Sequence, residues 1–386
     1  MTALRIGIVA GEQSGDNLGA AFMREVLARA PDTTFHGIAG PRMRALGCEV
    51  FAEAEELAVM GLFEVLRHLP RLLRLRRGVV ERFLAEPPDV FVGIDAPEFN
   101  LNVVPRLHAA RIPTVQYVSP QVWAWRQGRV KGMARSLDEV LCLLPFEAPF
   151  YAGHGLPATF VGHPLADQLP LVPDRAAARA TLGLPAEAPV VAVLPGSRRG
   201  EVERLAPVFA EAAGWLRTHL PAARFVAPMA NPAAREVFGR AWQQAAAGEV
   251  LLLDGQAQVA MTAADVVLVA SGTATLEATL CKRPMVVAYR LSAGTAAVFR
   301  WLGLMKAPHF AQPNLLAGER VVPELFQEAA NGPALGAALL DWFRHPDRVA
   351  AVADRFLAIH QDLRRDASAR AAEAVLRLAA GSRRRA

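Results

Sequence analysis

Two arginines stand at a glycine turn in the stretch VLPGSRRGEV (193–202), where an apolar run gives way to helix-forming residues. A strand that leads through such a turn into a helix leaves backbone N–H groups free at the helix N-terminus, and these groups favour an anion. The guanidinium groups of Arg198 and Arg199 add donors that stay charged at working pH. The stretch predicts a phosphate site, and a solvated arginine pair on an ordinary turn is the alternative.

A second turn of this kind lies in VASGTATLEATL (269–280). Ser271, Gly272 and Thr273 open the next helix, and Glu277 follows one turn later. A pyrophosphate at the helix N-terminus and a carboxylate on the ribose hydroxyls would together hold a nucleotide. An N-capping hydroxyl with a surface glutamate has the same pattern, but two such turns in one half of the chain favour the nucleotide.

The N-terminal half carries acids at the corresponding places. The stretch IGIVAGEQSGDNLGAAF (6–22) leads from a strand into a glycine turn with Glu12 and Asp16, and GIDAPEFN (93–100) ends a strand in Asp95. The glycine spacing matches neither dinucleotide nor P-loop motifs. A carboxylate at a strand end can accept a hydroxyl proton as general base, and a bare helix N-cap looks identical. These acids favour a polyhydroxylated acceptor over a phosphate.

Two stretches have the composition of a membrane surface. On a helix, the leucines of MGLFEVLRHLPRLLRLRR (60–77) share one face and the arginines lie opposite, which is an interfacial pattern. YVSPQVWAWR (117–126) adds tryptophans beside an arginine. Packing of the leucines on a sheet and of the tryptophans in the core is the alternative. The membrane-facing candidates are Leu66, Leu69, Arg71, Leu72, Leu73 and Trp123.

The elements that must position these residues alternate along the chain. Short β-branched runs and helical patterns follow one another from the start, and the rhythm restarts after a proline-containing passage near 165–180. This predicts an α/β protein with two doubly wound Rossmann-like domains facing across a cleft. We place the domains at 1–168 and 169–345, with a helical C-terminal segment at 346–386. Ligands are expected beyond the carboxyl ends of the strands.

The bulk composition limits the class of protein. The chain has 386 residues, of which 53% are hydrophobic and 20% charged, with a net charge of +5, so two domains with anionic partners are expected. The three cysteines lack the spacing of a disulfide framework or a zinc site, which favours a reducing cytosol. The chain begins directly with a strand pattern, and no apolar run approaches the ~20 residues that a membrane span needs.

Several motifs are missing from the sequence. No DxD, HxH or HxxxH occurs, so we expect neither a metal nor another cofactor, and leaving-group charge would fall to arginines and helix ends. No GxSxG nucleophile elbow is present. No basic run is interleaved with stacking aromatics, which argues against a nucleic-acid partner.

Taken together, the stretches resemble the lipid-A-disaccharide synthases, a family of metal-independent, inverting glycosyltransferases of the GT-B type. The resemblance covers nearly the whole chain. Glu98 stands where the family often has Asp, which leaves Asp95 in place as the better candidate base. The motifs, in family order, are AGEQSGDNLGA, GIAGPRM, MGLFEVL, GIDAPEFN, YVSPQVWAWR, LPFE, FVGHPLAD, LPGSRRGEV, ASGTATLEATL and PNLLAGERVVPELFQ.

The resemblance implies a reaction in the lipid A (lipopolysaccharide) pathway: UDP-2,3-diacylglucosamine and 2,3-diacylglucosamine 1-phosphate give a β-1,6-linked disaccharide 1-phosphate and UDP. It implies a cytoplasmic enzyme bound peripherally to the anionic inner face of the inner membrane. It also implies C-terminal helices that cross to the other half or to the partner in a homodimer. The expected site comprises Asp95 as base; Glu12, Ser14 and Asp16 on the acceptor side; and Arg198, Arg199, Ser271, Gly272, Thr273, Glu277 and Asn314 on the donor side.

Two other functions stay open at the level of the sequence. A UDP-sugar 2-epimerase would share the nucleotide half but need no lipid, so dependence on acyl chains discriminates. A non-catalytic peripheral membrane protein that binds a nucleotide sugar would tolerate loss of Asp95. The role of His163 in FVGHPLAD, as a substrate contact or as a brace of the linker, is equally open.

Overall fold

The computed structural model describes residues 3–57, 62–125, 127–291 and 309–383. The chain forms two compact units. The first contains the residues up to Asp167 together with those from Leu363 onward, and the second contains Gln168–Asp362. Within the described ranges, no helix combines the length and apolar character that crossing a bilayer requires.

The first unit is built on a seven-stranded parallel sheet with the order β3-β2-β1-β4-β5-β6-β7. Its strands are β1 Arg5–Ala10, β2 Thr34–Ala39, β3 Glu49–Glu53, β4 Val90–Ile94, β5 Thr114–Tyr117, β6 Glu139–Cys142 and β7 Ala158–Phe160. The helices in this stretch are α1 Glu12–Arg29, α2 Pro41–Arg44, α3 Leu62–Ala85, α4 Pro97–Ala109, α5 Val122–Trp125, α6 Val130–Met133, α7 Glu147–Ala152 and α8 Pro164–Gln168. Short 3₁₀ turns lie at Ala54–Leu57 and Gln127–Arg129.

The second unit has a six-stranded parallel sheet with the order β10-β9-β8-β11-β12-β13. Its strands are β8 Val190–Leu194, β9 Arg224–Met229, β10 Leu251–Asp254, β11 Val266–Ala270, β12 Met285–Tyr289 and β13 Glu324–Phe326. The helices that follow in the described chain are α9 Arg175–Thr181, α10 Arg199–His219, α11 Pro232–Gln244, α12 Ala257–Ala263, α13 Thr273–Leu280, α14 Gln312–Ala317, α15 Gly332–Arg344, α16 Pro346–Leu363 and α17 Ala367–Arg383. A 3₁₀ turn lies at Gln327–Ala329.

Both strand orders reverse once, which confirms the predicted pair of doubly wound sheets. In the first sheet, β1 and β4 are neighbours, and the strands that follow each of them are added on opposite sides. In the second sheet, β8 and β11 are the corresponding neighbours. Such a reversal leaves a crevice at the carboxyl ends of the two central strands. The central strands are buried along their length because helices cover both faces of each sheet, which explains their continuous apolar sequences.

Helix α17 completes the cover of the first sheet. Ala371, Ala372 and Val375 from this helix pack with Phe22 and Met23 of α1 in one buried cluster. The neighbouring α16 belongs to the second unit, so the C-terminal segment is divided between the two units. The carboxylate of Asp167 accepts hydrogen bonds from the backbone N–H groups of residues 365, 366 and 367 at 2.7–3.0 Å and thereby fixes the start of α17.

Candidate active site

A cavity of about 350 Å³ lies at the strand-order reversal of the second sheet. The turn after β8 contributes Gly196, Ser197 and Arg198 to its lining. The turn after β11 and the start of α13 supply the other side of the wall. Of the residues predicted on the donor side, the cavity brings together Arg198, Ser271, Gly272, Thr273 and Glu277.

Two helix N-termini open onto this cavity. Helix α10 begins after Arg198 and α13 begins after Gly272, and neither N-cap residue caps its helix with a side chain. The first N–H groups of a helix have no partner within the helix, so they are available to an anion. Gly272 has φ +149° and Gly196 has φ +113°, backbone conformations that favour glycine. A Cβ on Gly196 would lie only 2.1 Å from a carboxylate oxygen of Glu201, so this turn requires glycine.

Glu201 is a lining residue that the sequence reasoning missed. Burial raises the pKa of its carboxyl, while the charge of Arg198 and the backbone N–H groups of Ser197 and Arg198 lower it. A glutamate at the third helical position that reaches back to the N-cap N–H is half of a capping box. The three-residue spacing between Arg198 and Glu201 is therefore the sequence signal that could have indicated Glu201. The missed lining residues Met229 and Gly255 lie at the ends of β9 and β10. For Met229, the position of β9 next to β8 is the signal that could have indicated it.

The position of Glu277 suits recognition of hydroxyl groups on a ligand. It is half-buried, it lines the cavity one turn into α13, and burial raises the pKa of its carboxyl. A carboxylate here can accept hydrogen bonds from the vicinal hydroxyls of a ribose whose phosphates lie at the helix N-terminus. Ser271 takes a different part, because its hydroxyl donates to the carbonyl of Phe310 at 3.1 Å and so ties the turn to the loop before α14.

Two residues expected on the donor side lie outside this cavity. Arg199 is exposed and pairs with Glu203 one turn along α10, with 2.8 Å between Nε and Oε1. Asn314 is fully buried. Its amide nitrogen donates to the carbonyl of Val322 at 2.9 Å, and its oxygen accepts from the N–H groups of Val321 and Val322. The side chain of Asn314 therefore braces the loop before β13.

The strand-order reversal of the first sheet brings Glu12 and Asp95 together. Ala10 and Ile94 are register partners, so the residues that follow β1 and β4 emerge side by side. Burial raises the pKa of Asp95, the charge of Glu12 raises it further, and the backbone N–H of Ala96 lowers it. A carboxyl whose pKa lies closer to working pH accepts a proton more readily than an exposed aspartate does. Asp95 has the environment of a general base.

The remaining acceptor-side candidates divide into one exposed and one buried residue. Ser14 is exposed in the first turn of α1. Asp16 is buried, and its carboxylate accepts from the N–H groups of Gly40, Arg42 and Met43 at 2.9–3.1 Å. Because these bonds hold the start of α2, we assign Asp16 a bracing role in place of the expected substrate contact.

The membrane-facing candidates on α3 are in part exposed. Leu69 and Leu73 have 40% and 43% of their surface exposed, whereas Leu72 is half-buried. Arg71 is exposed and pairs with Glu56 at 2.6 Å. The side chain of Leu66 lies outside the described residues. Val79, Val80 and Phe83 in the second half of the helix pack in the core, although Leu84 in its last turn is exposed as well. Leu69 and Leu73 are the exposed leucines close to Arg71.

Trp123, the remaining membrane-facing candidate, is half-buried and hydrogen-bonded within the first unit. Its indole N–H donates to the carboxylate of Glu147 at 3.2 Å, and its ring packs edge-to-face on Phe146 at 4.9 Å. Glu147 is buried, and burial raises its pKa to about 7 although the indole and nearby N–H groups favour the ionised form. The tryptophan is thereby fixed to the start of α7.

His163 acts as a brace in this structure. Its Nδ1 accepts from the N–H of Leu165 at 3.2 Å, and its own backbone N–H donates to the carbonyl of Leu363 at 2.9 Å. Burial lowers the pKa of the imidazole to about 4, so it is neutral at working pH. Among the described residues, no three His, Cys, Asp or Glu side chains are grouped in the manner of a metal site.

Two Rossmann-like units with polar groups at their strand-order reversals define an enzyme of the GT-B type. Solved structures share this fold. The glycotransferase of kitacinnamycin superposes with a TM-score of 0.62 at 17% identity, over 98% of this chain and 100% of the other. UDP-GlcNAc 2-epimerase from Neisseria meningitidis, solved with UDP-GlcNAc, also gives 0.62, at 12% identity over 97% and 100%. At these identities the likeness establishes the fold alone.

The sequence comparisons identify the family. The family model described as lipid-A-disaccharide synthetase matches residues 6–378. The lipid-A-disaccharide synthase of Xanthomonas axonopodis pv. citri (strain 306) is 54% identical over 375 residues, which cover 97% of this chain and 85% of the relative. The chain belongs to the lipid-A-disaccharide synthase family, the glycosyltransferases of lipid A biosynthesis. The resemblance noted from the motifs is confirmed.

Proposed function

We propose that the protein transfers a diacylglucosamine unit from UDP-2,3-diacylglucosamine to 2,3-diacylglucosamine 1-phosphate. The products are a β-1,6-linked disaccharide 1-phosphate and UDP. The observation that carries the proposal is the division of charge between the two units. The first unit presents Asp95 with Glu12 at its strand-order reversal, and the second presents Arg198 and two helix N-termini around a cavity. The first unit would serve the acceptor and the second the donor.

On the donor side, the uridine diphosphate occupies the cavity of the second unit. Arg198 and the N–H groups at the start of α13 bind the phosphates, and Glu277 accepts from the ribose hydroxyls. As the bond from the anomeric carbon to the phosphate oxygen breaks, the electron pair leaves with UDP. Cationic and N–H donors stabilise this developing charge most strongly in the transition state, which lowers the barrier.

On the acceptor side, Asp95 removes the proton from the 6-hydroxyl as this oxygen attacks the anomeric carbon. One bond forms while the other breaks in a single in-line displacement, so the configuration inverts. Ser14 and Glu12 contact the acceptor sugar beside the reacting hydroxyl. The carboxylate of Asp95 must be ionised to act, and its raised pKa places the loss of activity on the acidic side of working pH.

The decisive test is incubation of the purified protein with both lipid substrates in the presence of EDTA, followed by mass spectrometry. We expect a tetraacyl disaccharide 1-phosphate and an equimolar amount of free UDP. Added Mg²⁺ should not change the rate, because arginine and helix ends carry the leaving-group charge. Tight binding of UDP without any disaccharide product would contradict the proposal and favour an epimerase or a binding protein.

We also propose that the first part of α3 binds the inner face of the inner membrane, where both acylated substrates are found. The support is the pair of exposed leucines, Leu69 and Leu73, close to the cationic Arg71. Burial of one leucine is worth about 1.5–3 kcal/mol, so Leu69→Ser with Leu73→Ser should weaken binding to phosphatidylglycerol vesicles at least about tenfold in flotation. Val172→Ser removes an 82% exposed valine from the second unit and is the matched control.

The homodimer implied by the family resemblance stays a prediction. Helix α17 packs on the first unit of its own chain. Light scattering on the purified protein measures the oligomeric state directly. A concentration-independent monomer mass would contradict the homodimer and leave the catalytic proposal unchanged.

A further inference from the structure

The turn that carries Asp95 has an unfavourable backbone. Asp95 and Ala96 are consecutive non-glycine residues in the left-handed region, with φ +49° and +39°. L-residues visit this region rarely, and two in succession persist only where the surroundings hold them. The direction in which the Asp95 side chain leaves the turn depends on this conformation. Whatever fixes the turn therefore also fixes the carboxylate.

Two buried amide side chains converge on the carbonyl of Asp95. Asn100 Nδ2 donates to it at 2.9 Å, and Gln116 Nε2 donates to it at 3.0 Å. Neither side chain has exposed surface. The backbone N–H of Asn100 also donates to the carbonyl of Ala96 at 3.0 Å, so both strained residues are held. We call Asn100 and Gln116 the amide clamp.

The clamp reaches the neighbouring strand ends as well. Gln116 Nε2 lies 3.3 Å from the carbonyl of Val118, a β-branched residue at φ +76° that follows β5. Asn100 Nδ2 lies 3.5 Å from the carbonyl of Val9 in β1. The amides therefore connect the ends of three adjacent strands, β1, β4 and β5, around the Asp95 turn.

A glycine in β4 makes room for the clamp. A Cβ on Gly93 would lie 2.8 Å from Asn100 Cγ and 2.9 Å from its Cβ, distances that real Cβ atoms do not tolerate. A larger residue at this position would displace the Asn100 side chain. The strand thus provides the space that the amide fills.

We propose that Asn100 and Gln116 are positioning residues of the transfer reaction, holding the Asp95 carboxylate in line with the acceptor hydroxyl. This inference rests on the proposed role of Asp95 as the base. Without the clamp, the strained peptide can relax to an ordinary conformation and carry the carboxylate away from the hydroxyl. Misplacement of a reacting group by about 1 Å can cost roughly 10²-fold in rate.

The test compares kcat, KM and UDP affinity for Asn100→Ala and Gln116→Met, the second of which keeps side-chain size but removes the donor. We expect kcat to fall about 10²-fold for Asn100→Ala and about tenfold for Gln116→Met, since two donors share one carbonyl. The KM for the donor and the UDP affinity measured by calorimetry should not change, because the proposed donor site lies in the second unit. Asn102→Ala is the matched control: Asn102 is exposed on the same helix and donates to the carbonyl of Glu98.

Gly93→Ala gives a readout that general destabilisation would not produce. Alone, the added Cβ should displace the Asn100 amide and lower kcat. Combined with Asn100→Gly, which removes both the Cβ and the Cγ that the new methyl group would meet, it should lower kcat no further than Asn100→Gly does alone. Independent losses of stability would instead add in the double variant.

The outcomes separate the clamp from the base. If Asp95→Asn keeps wild-type kcat, the proposed role of Asp95 fails. If Asp95→Asn loses activity while Asn100→Ala and Gln116→Met keep kcat within threefold, the clamp is wrong and the base stands. Should Asn100→Ala fail to fold, as judged by its melting temperature, Gln116→Met decides alone: an unchanged kcat in a folded Gln116→Met overturns the proposal.

Discussion

The strand-order reversals of the two sheets have the same topology but opposite local chemistry. At the first, the chain leaves β1 and β4 through the non-glycine left-handed residues Glu12, Asp95 and Ala96. At the second, it leaves β8 and β11 through Gly196 and Gly272, also at positive φ. This difference shows which groups each turn offers to a ligand: a side chain at the first reversal and backbone N–H groups at the second. Where a side chain must act, the fold tolerates backbone strain; where backbone N–H groups must act, glycine clears the approach.

The charges that surround the carboxyl groups at the two reversals also differ. Glu12 raises the pKa of Asp95 by repulsion, which favours a proton acceptor. Burial raises the pKa of both carboxyls, but at Glu201 the charge of Arg198 opposes the rise, whereas at Asp95 the charge of Glu12 adds to it. One reversal is thus prepared to take up a proton and the other to hold an anion. Four experiments can break or sharpen this contrast.

The largest effect is expected at the base. Asp95→Asn should lower kcat by about 10²–10⁴-fold, because a neutral amide cannot take the proton of the acceptor hydroxyl. UDP affinity, measured by calorimetry, should be unchanged. A variant with near-normal kcat would show that Asp95 does not take the proton of the acceptor hydroxyl. The proposed difference in function between the two reversals would then be wrong.

The arginines at the second reversal form a natural matched pair. Arg198→Ala should weaken UDP binding about 10-fold to 100-fold, because hydrogen bonds to charged groups contribute about 1.5–3 kcal/mol. Arg199→Ala should bind UDP like the wild type, since Arg199 is exposed and paired with Glu203 outside the cavity. Equal losses in the two variants would mean that the exposed arginine also reaches the phosphates.

The need for glycine is tested by Gly196→Ala and Gly272→Ala. Both add a Cβ at a positive φ that favours glycine, and strained backbone of this kind costs on the order of 1–3 kcal/mol. The first also forces the new Cβ against Glu201, whereas the second meets open space. Urea unfolding and UDP titration should therefore rank Gly196→Ala as the more damaging. The reverse order would show that the contact with Glu201 does not shape the turn.

The smallest effect is a shift in pH dependence. The proposed role of Asp95 requires its ionised form and its pKa is raised, so kcat should fall as the pH drops through that raised value. Glu12→Gln removes the repulsion and should move this acidic limb to lower pH, with UDP affinity retained. A pH–rate profile in the two proteins checks the sign. A limb that moves to higher pH would mean that Glu12 does not act on Asp95 through its charge.

The sequence predicted what depends on local pattern. Alternating apolar runs indicated both parallel sheets, and the residues directly after β4, β8 and β11 were found because strand ends of a parallel sheet meet at one edge. Asp16 shows the limit. Its spacing from Glu12 suggested a shared site, but its partners are the N–H groups at the start of α2, at 40–43, and nothing in the sequence around Asp16 reveals that distant helix end.

The amide clamp could not be predicted from the sequence either, because its contacts also join residues from separate elements. Asn100 lies within α4 and Gln116 within β5, and a polar residue in either element is typical of a solvated surface. Only the fold shows that both are buried against the Asp95 carbonyl. Trp123 is a similar case, since its hydrogen bond to Glu147 depends on how the ends of β5 and β6 meet.

The packing of α17 on the first sheet has a consequence for biosynthesis. The second unit interrupts the first, so about 200 residues must be translated between Asp167 and the helix that covers the first sheet. At ~5–20 residues per second, that interval is on the order of 10–40 s. During it, the nascent first unit exposes the apolar surface that Ala371, Ala372 and Val375 later bury. A ribosome-bound chain therefore carries this exposed apolar surface until α17 emerges.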